Sequence, residues 1–209
     1  MHGLRVVLCV IVLTVAATAE PPGADEIVIP HTDGRSGLCE PFDCGTRIQQ
    51  VFNASLFPSR MKIEAIELFN NLEQSGEGFA EPAHYQIYLS TTRASWLTVT
   101  ADMDANLGAD DRLVADFTIA DFNTFFTGAF RIPLSEPFMF NPRRGNLLLE
   151  IRKNQTANYG DGTIYVDGSV SAPGVTLVTD QFGVQSGVGM SVGLVGKFAG
   201  PFRQDAEAR

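Results

Sequence analysis

Short runs of alternating or β-branched residues, each closed by a Gly, Pro, Asp or Asn cluster, recur throughout residues 47–199. No stretch sustains the apolar spacing of a helix. The runs are Arg47–Phe52, Met61–Phe69, His84–Ser90, Trp96–Ala101, Arg112–Ile119, Gly128–Leu134, Phe138–Phe140, Leu147–Ile151, Thr163–Val166, Val175–Thr179 and Ser191–Phe198. In His84–Ser90, strict alternation puts Tyr85, Ile87 and Leu89 on one face and Gln86 and Tyr88 on the other. Met61–Phe69 alternates and then slips by one at Ile66, which predicts a bulge. Leu147–Ile151 is almost continuously apolar, as for a strand buried on both faces. The spacing predicts an all-β domain of about ten or eleven strands, a single antiparallel, jelly-roll-like β-sandwich. Met61–Leu72 is rich in helix formers, but its alternating first half favours a strand. A single helical turn is expected within Ala120–Phe125.

The first residues bound where such a fold works. His2 and Arg5 precede an apolar run, Val6–Ala17, and Ala17-Thr18-Ala19 forms a small-x-small cleavage site. Residues 1–19 are expected to be a cleaved leader, too short to span a bilayer, which takes ~20 apolar residues. Residues 20–46 hold Pro21, Pro22, Pro30 and the pair Cys39 and Cys44, and read as an irregular arm in which only Glu26–Pro30 resembles a strand. The sandwich domain then occupies 47–199 and a polar tail 200–209. Residues 182–202 are apolar but glycine-rich, which suits a loop and a last strand better than a membrane helix. Export leads to the expectation of a secreted or periplasmic protein with no membrane span after cleavage. Cys9 leaves with the leader. Cys39 and Cys44 remain as an even pair in an oxidising compartment, and a disulfide is expected. A zinc site would need further soft ligands, and a redox motif would need two intervening residues.

Charge narrows the partners. The chain carries −9, and loss of Arg5 with the leader makes it more acidic still. Arg143-Arg144 is the densest basic pair. With no longer basic run in the sequence, neither nucleic acid nor an anionic membrane is an expected partner.

Catalytic signatures are scarce. His31 and His84 are the only histidines after the leader, and no Gly-x-Ser-x-Gly elbow, phosphate loop or dinucleotide fingerprint occurs. Paired carboxylates of glycosidase type are not fixed by any spacing. The segment Asp102-Met-Asp-Ala-Asn-Leu-Gly-Ala-Asp-Asp111 places side-chain oxygens on alternate residues before a glycine. Asp102, Asp104, Asn106 and Asp110 are therefore candidate ligands for one structural Ca²⁺, although the segment departs from an EF-hand loop and equally suits an acidic turn. Trp96, Tyr88, Tyr159 and Tyr165 are candidate stacking platforms for sugars, with packing the alternative. Asn53-Ala-Ser55 and Asn154-Gln-Thr156 match the glycosylation pattern.

Several segments occur in an order that carries a resemblance. They are Arg47-Ile-Gln-Gln-Val-Phe-Asn-Ala-Ser-Leu-Phe-Pro58, Ile87-Tyr-Leu-Ser-Thr-Thr92, Asn106-Leu-Gly-Ala-Asp-Asp111, Ile132-Pro-Leu-Ser-Glu-Pro-Phe-Met-Phe-Asn-Pro142 and Gly145-Asn-Leu-Leu-Leu-Glu-Ile151. Over residues 47 to about 153 the chain resembles secreted bacterial β-sandwich proteins of the PEP-CTERM-associated type. The resemblance implies an envelope or extracellular location and transfers no catalytic residue. It stops short of the C-terminus, where no Pro-Glu-Pro sorting motif is read. The function expected is a non-enzymatic exported module of the cell surface or extracellular matrix that binds an extracellular glycan or envelope protein. The alternatives are a secreted polysaccharide hydrolase and a structural matrix or surface-layer component.

Overall fold

The computed structural model describes residues 24–31, 36–42, 44–71, 80, 82–120, 128–155 and 164–199. Residues 1–19, expected to be a leader, the tail, Tyr159 and most of Ala120–Phe125 lie outside the described residues. Thirteen strands are present among the described residues: β1 (Asp25–Ile29), β2 (Ser36–Leu38), β3 (Arg47–Phe52), β4 (Met61–Phe69), β5 (Ala83–Thr92), β6 (Arg112–Ile119), β7 (Ala129–Phe140), β8 (Asn146–Gln155), β9 (Val166–Ser169), β10 (Val175–Thr179), β11 (Gly183–Ser186), β12 (Gly189–Met190) and β13 (Val192–Phe198). All pairings are antiparallel. One sheet has the order β1-β13-β4-β7, a second β11-β10-β3-β8-β5-β6, and a small third β12-β9-β2.

The alternation of β5 decides which face is inside. Tyr85, Ile87 and Leu89 are buried in the main core, together with Ile48 and Phe52 of β3 and Leu147, Leu149 and Ile151 of β8. Ile63, Ile66 and Leu68 of β4 and Leu194 of β13 belong to the same core. The six- and four-stranded sheets thus bury their apolar faces against one another, as two sheets with one wet face each must. The slip expected in β4 is a bulge: Ile63 pairs with Gly196 of β13 and Ala65 with the adjacent Val195, which leaves Glu64 as the extra residue. It lets the apolar positions change from 61 and 63 to 66 and 68 without leaving the core side. Gly196 lies opposite, where a Cβ would overlap the carbonyl oxygen of Lys62, so only glycine fits.

Four readings change. Trp96–Ala101 is a turn rather than a strand. Its polar Ser95 and Thr98 side chains bond each other and the local backbone, which competes with a ladder. Gly128–Leu134 and Phe138–Phe140 join into the single strand β7, and the intervening prolines are tolerated because β7 is an edge. The glycine-rich stretch before β13 contributes β11 and β12. Finally, the arm is less irregular than expected: its strand-like Glu26–Pro30 stretch is β1, paired with β13, and Ser36–Leu38 adds β2, paired with β9.

The disulfide Cys39–Cys44 is formed, with the Cα atoms 5.2 Å apart. It closes a loop that inserts Phe42 into the core, only 1% exposed. The ring lies 5.8 Å from Tyr85 of β5 and 5.6 Å from Phe130 of β7, while Phe117 of β6 stacks on Tyr85 at 5.3 Å. The loop is therefore an aromatic plug at the junction of the two large sheets.

Candidate functional site

The outer face of the six-stranded sheet carries the densest set of polar side chains. Cross-strand register assembles it. Tyr88 lies opposite Glu150, and Glu150 opposite Gln49. In the adjoining row, Arg47 faces Arg152, Arg152 faces Gln86, and Gln86 faces Asp116. Each of these residues occupies an alternate position of its strand, so all project to the same side.

Two arginines directly opposite each other repel. Glu150 resolves the conflict. Arg47 donates to its carboxylate at 3.2 and 3.1 Å, Arg152 Nε donates to Oε1, and Gln49 Nε2 donates to Oε2. The Glu150 side chain has 0% exposure, whereas Arg47 and Arg152 retain 27% and 38%. A fully covered carboxylate thus holds two partly open guanidinium groups in fixed planes. Arg152 also lies over the ring of Tyr88, 4.3 Å from its centroid. At the next positions Gln86 donates to Asp116 at 3.0 Å, and His84 Nε2 is 2.6 Å from the other oxygen of that carboxylate. Those hydrogen bonds, from Gln86 and then His84, hold the Asp116 carboxyl below the usual range. The result is a row of planar polar groups that leads away from one half-buried aromatic ring.

The loop between β5 and β6 borders this face and buries part of it. Val99 and Met103 pack on Val51, Leu148 and Val178, which form a second apolar cluster on the outer side of the sheet. This explains the almost continuous apolar run of β8: Leu147 and Leu149 face the main core, and Leu148 faces the loop. Gly108 is required there, since a Cβ would overlap the carbonyl oxygen of Thr91.

The expected calcium ligands sit in this loop. Asn106 is buried; its Nδ2 donates to Gln49 Oε1 at 3.0 Å and to the Thr100 carbonyl at 2.8 Å, while its Oδ1 accepts from Thr100 N at 3.0 Å. Asp110 accepts from Thr91 N at 2.6 Å. Asp102 accepts from Ala105 N at 3.4 Å, and the exposed Asp104 pairs with Arg47 at 2.7 Å. These oxygens serve the loop's own hydrogen bonds and one ion pair. Among the described residues, no three or more His, Cys, Asp or Glu side chains gather where a metal ion could sit.

Asp111 is the one strained acid at this border. Burial, and then the charge of Glu150, push its carboxyl up, and its Oδ1 is buried with no hydrogen-bond partner. The folded protein holds that proton more tightly than the unfolded chain does. Ionisation therefore costs stability, and the cost grows as pH rises through the raised value. Asp111→Asn is expected to raise the melting temperature at neutral pH. The gain should vanish below the ordinary carboxylate range, where both chains are protonated. Melts of the two proteins across pH check this; a gain that persists in acid would assign the effect to packing.

Of the expected sugar platforms, Tyr88 lies in this array. Trp96 is half-buried in the turn, where its carbonyl accepts from Thr176 Oγ1 at 2.5 Å, and Tyr165 is half-buried. His84 stands on the polar face as expected, and His31 is exposed. Sequence reasoning did not single out Gln86, Asp116, Arg47, Glu150 or Arg152. Only the alternation of β5 hinted at them, because their meeting depends on strand register.

Two depressions open at the end of the molecule where β7 turns into β8. One is lined by Thr92, Arg93, Leu107, Asp110 and Arg144, and the other by Phe57, Arg60, Asn141, Arg143 and Ala199. A third, more apolar groove runs between β6 and β7 past Phe117, Phe130 and Leu134.

No helix among the described residues is long and apolar enough to cross a membrane. No protein-family model and no curated protein matches the chain. Among solved structures it is similar to the cysteine protease and lectin-like domains of Cwp84, a surface layer associated protein of Clostridium difficile. The identity is 11% and the TM-score 0.42, over 74% of this chain and 32% of that one. The chain spans about a third of that neighbour's length.

Proposed function

We propose that this protein is an exported, non-enzymatic β module that binds a glycan on the outer face of its six-stranded sheet. The observation that carries the reading is the array that starts at Tyr88: one aromatic ring with Arg152 over it and Gln86 beside it, and with Asp116 and His84 continuing the row. Sugars present flat apolar C–H faces rimmed by hydroxyls. An aromatic ring with planar, hydrogen-bonding neighbours matches both, and its rigidity limits the entropy lost on binding. Glu150 is fully covered, Asp116 is held by Gln86 and His84, and Asp104 is paired with Arg47, so the carboxylates of this face are engaged in fixing its side chains, which favours binding over the two-carboxylate chemistry of a glycosidase. The leader-like N-terminus and the disulfide support an extracellular or periplasmic setting. The resemblance to PEP-CTERM-associated proteins implies the same setting.

The test is a glycan array on the mature protein, followed by titration of the best ligand. Tyr88→Ala is expected to weaken that binding roughly tenfold, through loss of stacking worth about 1.4 kcal/mol. Val170→Ala, exposed on a strand-end turn away from the array, should leave binding unchanged. Equal affinity of wild type and Tyr88→Ala would remove the site from the outer face.

A further inference from the structure

The four arginines around the β7–β8 turn stand out in an acidic chain. Arg60, Arg93, Arg143 and Arg144 are all exposed. None makes an ion pair or a side-chain hydrogen bond among the described residues, unlike Arg47, Arg131 and Arg152, which each have a carboxylate. They line the two depressions in pairs, Arg93 with Arg144 and Arg60 with Arg143. Among the described residues Asp110 is the only acid in either lining, and its Oδ1 is occupied by the Thr91 amide at 2.6 Å.

The turn between the depressions is built rather than loose. Asn141 Oδ1 accepts from Arg143 N at 3.1 Å, and its carbonyl accepts from Arg144 N at 2.9 Å. A Cβ at Gly145 would overlap the carbonyl oxygen of Thr92, so the turn can lie against β5 only with glycine there. Asn146 then ties both sides together. Its Nδ2 donates to the Ala94 carbonyl at 2.9 Å, beside Arg93, and its Oδ1 accepts from Ala54 N at 2.8 Å, on the wall of the second depression. One side chain thereby fixes the backbone of both depressions relative to the Arg143-Arg144 turn.

We infer that this end is a second binding site, separate from the Tyr88 face, for an acidic polysaccharide. Guanidinium groups left without carboxylate partners match carboxylate or sulfate groups in two-pronged fashion. Two arginine pairs on either side of one turn suit an anion that repeats along a polymer. In a chain of net charge −9, the rest of the surface repels such a ligand, so binding is confined to this end.

The experiment uses the mature chain with polygalacturonate and heparin as carboxylated and sulfated probes, dextran as a neutral probe, and a DNA duplex as a competing polyanion. Affinity for at least one acidic polysaccharide is expected at low salt, weakening steadily as salt rises. The double variants Arg93→Ala/Arg144→Ala and Arg60→Ala/Arg143→Ala should each weaken it roughly tenfold, as for loss of charged hydrogen bonds. Their melting temperatures should stay close to wild type, because these exposed side chains make no ion pair or side-chain hydrogen bond among the described residues. Tyr88→Ala should leave this binding intact, which separates the failure of this site from that of the outer face. No binding of either acidic probe, salt-independent binding, DNA bound as tightly as the polysaccharide, or retention by both double variants would each overturn the inference.

Discussion

Phe42→Ala is expected to lower the free energy of unfolding by about 3–5 kcal/mol, the range for deleting a buried aromatic ring. At 2–4 °C for each kcal/mol in a domain of this size, the melting temperature should fall roughly 10 °C. Phe42 lies in a six-residue disulfide loop and would look expendable by position in the chain. Its ring, however, is 1% exposed and packs on Tyr85 and Phe130, which belong to different sheets. Removing it opens a cavity at the joint between them, where rigid strands on both sides limit collapse. Denaturant unfolding of oxidised wild type and variant measures the difference. A change under about 1 kcal/mol would mean that the loop does not seal the core.

Leu148→Ala should cost about 2–5 kcal/mol by the same lost burial and cavity formation, although the residue lies outside the main core. Leu148 is 0% exposed beneath Val99 and Met103. The cavity therefore falls between the sheet and the loop that borders the candidate glycan face. A second effect follows. The loop amides of Thr100 and Asn106 should exchange faster with solvent, because their hydrogen bonds depend on the loop staying docked. Denaturant melts and hydrogen exchange read the two effects separately. Destabilisation without faster exchange in the loop would contradict the assignment of Leu148 to the outer cluster.

Much of the sheet structure was legible in the sequence because alternation is set by burial of one face. Tyr85, Ile87 and Leu89 against Gln86 and Tyr88 is the clearest case, and the slip at Ile66 gave the bulge of β4. What misled was chemistry that depends on distant partners. Trp96–Ala101 has the composition of a strand, but Val99 is needed to cap Leu148, so the segment turns across the sheet instead. β2, β11 and β12 are too short and too rich in glycine to show a period, and they exist only because neighbouring strands pair with them. Cys39 and Cys44 announced a disulfide, yet nothing in the spacing announced that Phe42 between them would enter the core.

The candidate site was less legible for the same reason. Tyr88 was readable as an outward aromatic residue. Glu150 sits inside an apolar run, and its role shows only when register places it opposite Gln49 and Tyr88, within reach of Arg47 and Arg152. The alternate oxygens of the 102–111 segment suggested an ion. In the structure Asn106 and Asp110 also hold the loop to β3 and β5, contacts no local pattern encodes.

The most direct test is an amide and side-chain NMR titration of the mature protein with the best saccharide from the array. Shifts are expected to concentrate on the outward residues of β5, β8 and β6, with the Tyr88 ring and the Arg152 and Gln86 side chains moving most. Saturable shifts confined to other surfaces, with the Tyr88 ring unmoved, would contradict a glycan site on this face.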